Sequence, residues 1–207
     1  DLGYGKEAYV ERAKVRLAQT KNEQGLTDLR HAIRLDPSDP EPHFVLGEAL
    51  RRLGRLQEAL TSYTNSMQAG PARHVPSLVG RGHCALGLSN VVSAYEDFSS
   101  AMRIDPGSAE ARLGLGLVEM ARSRPVEAIL PLTQALRIDP TLLPAYIARA
   151  QAYLLTSQLS LAATDVQQAL RLDPTVPEIY LARAGLQISY SNYRDAEKDL
   201  DLVDHMA

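Results

Sequence analysis

Residues 135–140 of this chain read ALRIDP, and similar hexapeptides recur along the sequence. The other copies are AIRLDP at 32–37, AMRIDP at 101–106 and ALRLDP at 169–174, with a weaker copy, SMQAGP, at 66–71. Their terminal prolines follow one another at intervals of 34, 35, 34 and 34 residues. A constant period of about 34 residues is typical of a linear stack of helical hairpins, in which each unit buries its apolar face only against its neighbours.

Each period of the sequence predicts two helices. Apolar residues recur at helical spacing in both halves of a period, and the proline ends the second helix because the residue before a proline avoids the α conformation. No segment has the alternating pattern of a strand. Phased on the prolines, a leader or remnant at 1–5 is followed by six repeats. These are 6–39, 40–73, 74–108, 109–142, 143–176 and 177–207.

Two positions in every repeat are occupied by glycine or alanine. In the first helices they are Ala13, Gly47, Gly82, Gly116, Ala150 and Ala184. In the second helices they are Gly25, Ala59, Ala94, Ala128, Ala162 and Ala196. Small residues at fixed helical positions indicate that two helix axes approach each other closely there.

These features together resemble the tetratricopeptide repeat (TPR), from Lys6 to the end of the sequence. The shared features are a small residue in the first helix, an alanine opening the second, a large apolar residue four positions later, and a terminal Asp-Pro. The resemblance implies an all-α, right-handed superhelical solenoid of antiparallel helix hairpins, with a concave inner wall built from the first helices. Pro125 and Pro131 depart from the pattern, and we expect them to distort the second helix of the fourth repeat.

Composition excludes several classes of partner. A net charge of −3 with 45% apolar residues gives no reason to expect nucleic acid or an anionic membrane surface. No apolar run approaches the length of a membrane span, so we expect no membrane insertion. No signal peptide is evident, which makes the cytoplasm the default location. The start at Asp1 and the shortened sixth repeat are what a piece of a longer chain would show.

The chain has no recognisable catalytic constellation. Its five histidines form no pair with metal-ligand spacing, and the single cysteine, Cys84, forms no zinc-binding pattern with them. Cys84 lies near the small residue Gly82, where a buried thiol is expected rather than a nucleophile. We therefore expect this segment to be no enzyme and to hold no metal or cofactor. A catalytic domain elsewhere in a longer chain stays open.

The wall positions implied by the resemblance form three rows. Twelve of them are the candidate partner-binding residues: Val10, Lys14, Phe44, Glu48, Val79, His83, Leu113, Leu117, Met120, Ile147, Gln151 and Leu181. The first row is Val10, Phe44, Val79, Leu113, Ile147 and Leu181; the second is Lys14, Glu48, His83, Leu117, Gln151 and Gly185; the third is Leu17, Arg51, Leu86, Met120, Leu154 and Ile188. The wall is apolar with scattered polar points, which suits an amphipathic helix or an extended apolar segment. Alternatively, these side chains pack against adjacent helices and expose little area.

Arginine and aspartate occur together at two positions of the repeat. Arginine stands at 12, 81, 149 and 183, and aspartate follows sixteen residues later at 28, 97, 165 and 199. The two repeats with leucine at the first position, Leu46 and Leu115, have Ser62 and Pro131 at the second. The pattern predicts Arg–carboxylate pairs that bridge the two helices of one hairpin: Arg12–Asp28, Arg81–Asp97, Arg149–Asp165 and Arg183–Asp199. A row of arginines for an acidic ligand would not explain why aspartate follows.

The resemblance also allows one specific partner to be tested. Family members that hold the acidic tails of heat-shock chaperones use a clamp of Lys and Asn on consecutive first helices. At the clamp positions this chain has Val10 and Lys14, then Phe44 and Glu48, so a chaperone tail is not expected. We predict a scaffold or adaptor for a protein or peptide partner. The alternatives are a substrate-selecting arm of a larger enzyme and a unit that self-associates through its terminal repeats.

Overall fold

The computed structural model describes residues 5–70 and 74–206, and within them the chain forms twelve α-helices and no strand. The all-α class predicted from the sequence is confirmed. Residues 1–4, which are most of the predicted leader, and residues 71–73 and 207 lie outside the described residues. The helices are α1 (Lys6–Ala18), α2 (Asn22–Leu35), α3 (Pro40–Arg52), α4 (Leu56–Ala69), α5 (Val75–Gly87), α6 (Val91–Ile104), α7 (Ala109–Ala121), α8 (Pro125–Ile138), α9 (Leu143–Leu155), α10 (Leu159–Leu172), α11 (Pro177–Ser189) and α12 (Tyr193–Met206).

The helices form two compact units, Asp1–Pro106 (unit 1) and Gly107–Ala207 (unit 2). Each unit holds three helical hairpins, and the second helix of a hairpin also packs against the first helix of the next. First helices touch one another as well: α1 touches α3 and α3 touches α5 in unit 1, while α7 touches α9 and α9 touches α11 in unit 2. The first helices of each unit therefore form one wall, which is the solenoid arrangement of antiparallel hairpins that the sequence predicts.

The Asp-Pro step ends the second helices through local hydrogen bonds. Asp139 follows α8 in an extended conformation, with φ −124° and ψ 96°, because the next residue is proline. Its carboxylate accepts hydrogen bonds from the hydroxyl and the amide of Thr141 at 2.6 and 2.8 Å. Asp173 and Thr175 repeat this arrangement after α10. These bonds hold the pKa of both carboxyl groups below its usual value and fix the path of the chain into the next hairpin.

The turn inside each hairpin contains one residue in the left-handed conformation. These residues all occupy the same position of the repeat and are Thr20, Gly54, Ser89, Ser123, Ser157 and Ser191, with φ between 58° and 72°. Only Gly54 is a glycine, the residue that adopts this conformation without steric cost. The other five turns therefore carry a small amount of backbone strain.

Among these five residues, we expect the largest strain at Thr20, because its side chain is β-branched. We expect Thr20→Gly to raise the free energy of unfolding by about 0.5–1 kcal/mol, measured by urea denaturation. Thr27→Gly, at an exposed position within α2, is the control and should lower it by about 0.5 kcal/mol. A loss of stability in Thr20→Gly would show that the turn is not strained.

Small residues of the first helices face large residues of the second. A Cβ atom added to Gly47 would lie 2.8 Å from the ring of Tyr63, and one added to Gly82 would lie 2.8 Å from the ring of Phe98. Both rings are fully buried. Where the small residue is alanine, as at Ala150, the facing residue is the smaller Val166. The two helices of a hairpin are therefore held at a separation that only glycine or alanine permits.

Candidate partner-binding face

Two of the predicted wall residues are buried in the core. Val10 belongs to the same apolar cluster as Leu26 and Leu29, and Leu113 packs with Ala128 and Leu132. Because their own second helices cover them, the prediction that Val10 and Leu113 face a partner is wrong. Both side chains hold their hairpins together instead.

A second group of predicted wall residues is half-buried. Phe44 packs against the core cluster of unit 1, Leu117 and Met120 against one cluster of unit 2, and Ile147 against another. Val79, His83 and Glu48 are also half-buried. These side chains pack against adjacent helices and also expose part of their surface. Both alternatives of the sequence analysis, core packing and a surface available to a partner, therefore apply to them.

In unit 2, two of the exposed apolar residues lie on one face of the first helix α11. Leu181 and Ile188 of α11 are 46% and 50% exposed. With Gly185 they follow the i, i+4, i+7 spacing of one helix face. On α9, Ile147, Gln151 and Leu154 have the same spacing, and Gln151 is exposed. We call these residues the α9–α11 face: Ile147, Gln151, Leu154, Leu181, Gly185 and Ile188.

Gly185 leaves a notch in the middle of this face. A Cβ atom added there would meet only Leu154, whose Cδ1 would lie 3.4 Å away, an ordinary contact distance. Gly82 and Gly116 differ, because an added Cβ would overlap Phe98 or Leu132 at 2.8 and 2.5 Å. Glycine within a helix costs about 0.5–1 kcal/mol relative to alanine. Packing within unit 2 therefore does not require the glycine at 185, although this glycine lowers the stability of the helix.

The wall of unit 1 is more polar. A depression of about 370 Å³ lies between α1 and α3, lined by apolar residues that include Leu17 and Phe44 and by charged residues that include Lys14, Glu48 and Arg52. Lys14 is paired with two glutamates at 2.9 and 3.2 Å. The sequence analysis missed Arg52, which lies one residue outside the three rows. The charges of this wall are largely engaged within the protein.

Glu48 and Arg51 form a polar group on α3. The Glu48 carboxylate accepts hydrogen bonds from the Tyr63 hydroxyl at 2.5 Å and from Arg51 at 3.0 Å. Burial, together with the nearby Arg51, lowers the pKa of His83, on α5, to about 4, while Glu48 opposes this shift. Burial also raises the pKa of the Cys84 thiol to about 11. At neutral pH His83 is uncharged and Cys84 is a thiol, which suits packing rather than nucleophilic chemistry.

The lowered pKa of His83 predicts a pH dependence of stability. Its ring packs edge-on against the ring of Phe98, with 5.1 Å between the two ring centres. In the folded chain the imidazole is neutral at pH 7. The unfolded chain takes up this proton below about pH 6.5, while the folded chain resists it down to about pH 4. Stability is therefore lost as pH falls through this window. We expect the wild type to lose about 2 kcal/mol more than His83→Gln between pH 7 and 4.5 in urea denaturation. Equal losses would contradict a neutral, half-buried His83.

The four Arg–Asp pairs lie where the sequence predicts them. In each, the arginine donates from Nε and from one terminal nitrogen to the two carboxylate oxygens, at 2.5–2.9 Å. Every one of the four aspartates is buried. Two arginines also donate to the preceding hairpin: Arg81 to Thr64 at 3.3 Å and Arg149 to Thr133 at 3.0 Å. The guanidinium groups of Arg81 and Arg149 therefore each connect three helices.

Other kinds of site find no support in the described part of the chain. Residues 5–70 and 74–206 contain no group of three His, Cys, Asp or Glu side chains arranged to hold a metal ion. In the same ranges, every helix is too short or too polar to cross a membrane.

Comparison with known families identifies the class of protein. A family model described as the tetratricopeptide repeat matches residues 10–74 and 72–142, which together are more than half of the chain. The chain therefore belongs to the tetratricopeptide repeat family, as the resemblance predicted. The fold is that of a protein-interaction scaffold, and repeats of this family are generally non-catalytic.

Solved structures show the same fold at low sequence identity. PilF of Pseudomonas aeruginosa is 18% identical, with a TM-score of 0.76 over 94% of this chain and 88% of its own. A thermophilic TPR protein of Thermus thermophilus is 21% identical, with a TM-score of 0.75 over 89% of this chain and 100% of its own. The Cut9–Hcn1 hetero-tetramer of APC/C contains a chain that is 16% identical, with a TM-score of 0.90 over 98% of this chain and 40% of its own. No curated protein matches the sequence significantly.

Proposed function

We propose that this chain is a protein-interaction scaffold that binds an apolar segment of a partner, helical or extended, on the α9–α11 face. The observation that carries this proposal is the pair of exposed side chains, Leu181 and Ile188, on either side of the notch at Gly185. Covering exposed apolar area contributes about 25 cal/mol per Å² before the costs of association are subtracted.

The chemistry of the face indicates how a partner would be held. A large apolar side chain of the partner fits against Gly185, with Leu154 beneath it and Leu181 and Ile188 at its sides. The exposed amide of Gln151 can donate and accept hydrogen bonds along the partner backbone. The six residues of this face include no charged side chain, which disfavours a highly charged peptide.

The similar structures agree with a scaffold. The Cut9–Hcn1 structure is described as a hetero-tetramer, so a fold of this kind occurs there within a protein assembly. At 16% identity this likeness supports a shared fold only, and the partner of the present chain has to be found by experiment.

Peptide selection with matched variants tests the proposal. Peptides are selected against the wild-type chain, and their affinities are then measured for Leu181→Glu/Ile188→Glu. Both positions are exposed, so this variant should keep the wild-type melting temperature within a few degrees. We expect its affinity to fall at least about tenfold, because two carboxylates would be buried at the contact. Leu161→Glu is the control, since Leu161 is 47% exposed on the second helix α10 and should bind like the wild type.

A filled notch gives a second test of the same face. Gly185→Leu should fold at least as stably as the wild type, because a helical glycine is removed and the added Cβ makes only an ordinary contact with Leu154. It should bind the selected peptides more weakly. Peptides that lose affinity with Leu161→Glu and keep it with the other two variants would place the contact on the second helices and contradict the proposal.

A further inference from the structure

A groove lies between the second helices α4 and α6 of unit 1, with the first helix α5 as its floor. It consists of two depressions of about 640 and 660 Å³, both lined by Arg81, Glu96 and Asp97. Along α4 the lining runs from Gln57 to Met67, which is about 15 Å at a rise of about 1.5 Å per residue. We call it the α4–α6 groove. An extended segment of about five residues has the same length.

Arg81 joins the two sides of this groove. Its guanidinium group donates to the buried Asp97 of α6 at 2.6 and 2.9 Å and to Thr64 of α4 at 3.3 Å. These bonds hold α4 and α6 at a fixed separation, so the groove is already formed before a ligand binds. The charges of Arg81 and Asp97 also compensate each other, which leaves the other charged groups of the groove to select a ligand.

A small residue leaves room in one half of the groove. Ala85 lines that half, at a repeat position where the other five repeats have larger residues. These are Arg16, Leu50, Glu119, Tyr153 and Gln187. Leu60 and Leu88 line the same half, and Leu78 and Ile104 line the other. The groove therefore offers apolar surface on both sides of Arg81, with the most space above Ala85.

Two further charged side chains of α6, Glu96 and Arg103, line the groove. Both are exposed, and among the described residues neither forms an ion pair. Their positions i and i+7 share one helix face and are about 10 Å apart along the axis. Glu96 is particular to this repeat, since the other five have uncharged or basic residues at its position: Thr27, Thr61, Leu130, Thr164 and Lys198. The groove thus presents one negative and one positive charge to a ligand.

The separation of these two charges matches that of side chains on an extended segment. In the polyproline II conformation, residues i and i+3 lie on the same side of the chain, about 9 Å apart. A basic residue at one of these positions therefore reaches Glu96 when an acidic residue at the other reaches Arg103. The two residues between them lie along the apolar part of the groove.

We propose that the α4–α6 groove binds an extended segment of a partner protein that carries a lysine or arginine and, three residues away, an aspartate or glutamate. The basic side chain pairs with Glu96 and the acidic one with Arg103. Exposed pairs of this kind select a partner more than they add affinity. The groove lies in unit 1 and shares no residue with the α9–α11 face, so each proposal can fail without the other.

Short peptides test this on the whole chain. The probe has lysine and glutamate three residues apart among prolines and alanines, which favour the extended conformation, and it is made with the two charges in either order. A matched peptide has glutamate at both positions. We expect one order of the probe to bind the wild type better than the matched peptide, by fluorescence anisotropy. Glu96→Lys should weaken that probe at least about fivefold and should bind the matched peptide better than the wild type does.

Two further variants separate this groove from general attraction. Glu127→Lys makes the same change in net charge at an exposed position on α8 and should bind the probe like the wild type. Ala85→Leu fills the groove with the residue found at Leu50 and should weaken the probe without any change in charge. Because Ala85 is buried, the melting temperature of this variant is compared first; if it does not fold, Glu96→Lys, at an exposed position, still decides the test.

Four results would overturn the proposal. The first is that neither order of the probe binds better than the matched peptide. The second is equal weakening by Glu96→Lys and Glu127→Lys. The third is weakening by Leu181→Glu/Ile188→Glu, which would place the peptide on the α9–α11 face. The fourth is self-association of the wild type that Glu96→Lys abolishes, which would assign the groove to a second copy of the chain.

Discussion

Leu113→Glu is expected to unfold unit 2, whereas Leu181→Glu at the same position of a later repeat leaves it folded. Leu113 is 4% exposed and packs with Ala128 and Leu132, so the change removes a buried apolar side chain and places a carboxyl group among alanines and leucines. Losing the leucine alone costs about 2–5 kcal/mol, and the buried carboxyl group adds further cost. We expect a total loss of at least about 4 kcal/mol.

The measurement is urea denaturation followed by circular dichroism, with Leu181→Glu as the matched control. The control side chain can reach water and should change the free energy of unfolding by less than about 1 kcal/mol. Similar losses in the two variants would contradict the difference in burial that the structure assigns to this repeat position.

Arg149→Met is expected to destabilise unit 2 more than the double variant Arg149→Met/Asp165→Leu. Arg149 donates two hydrogen bonds to the buried Asp165 at 2.7 and 2.8 Å, and a third to Thr133. Removing the arginine alone leaves a buried, unpaired carboxylate, which costs about 3 kcal/mol. Replacing both partners by apolar residues removes that penalty, so most of the lost stability should return.

The Arg12–Asp28 pair is the control for this prediction. Arg12 is exposed, and Asp28 also accepts a hydrogen bond from Arg16 at 2.6 Å. Arg12→Met therefore leaves the carboxylate with a partner and should cost less than about 1 kcal/mol. A double variant at 149 and 165 that is less stable than Arg149→Met would show that the unpaired carboxylate is not the cause of the loss, and it would contradict this account.

The repeated sequence made the fold and the ion pairs predictable. Each repeat serves as a comparison for the others. A proline every 34 or 35 residues therefore predicts the hairpin, and the joint occurrence of arginine and aspartate in the same repeats predicts the pair of Arg149 and Asp165. Both features are local: the Asp-Pro step acts within one turn, and the pair joins two adjacent helices.

The burial of each side chain in the wall was not predictable from the repeat pattern. Val10, Leu113 and Leu181 occupy one position of the repeat, but the first two are buried and the third is exposed. Val10 and Leu113 pack with leucines of their own second helices, Leu29 and Leu132, and the period alone does not determine such contacts. The period of the sequence locates the wall and does not say how far each side chain extends from it.

The effect of proline within a helix was also not predictable from the sequence. Pro131 suggested a distorted second helix in the fourth repeat, yet α8 runs continuously over Pro125–Ile138. Pro125 occupies the first turn, where a missing amide hydrogen has no cost. The buried Leu132 and Ala135 anchor the helix beyond Pro131, so tertiary packing outweighs the lost hydrogen bond.

The measurement that tests the central claim most directly is methyl NMR of the chain, labelled at leucine and isoleucine, during titration with a selected peptide. The account predicts shifts of the Leu154, Leu181 and Ile188 methyl signals in unit 2, with those of Leu130 and Leu161, exposed on second helices, unchanged. Shifts of Leu130 and Leu161 with Leu181 and Ile188 unaffected would contradict binding on the α9–α11 face.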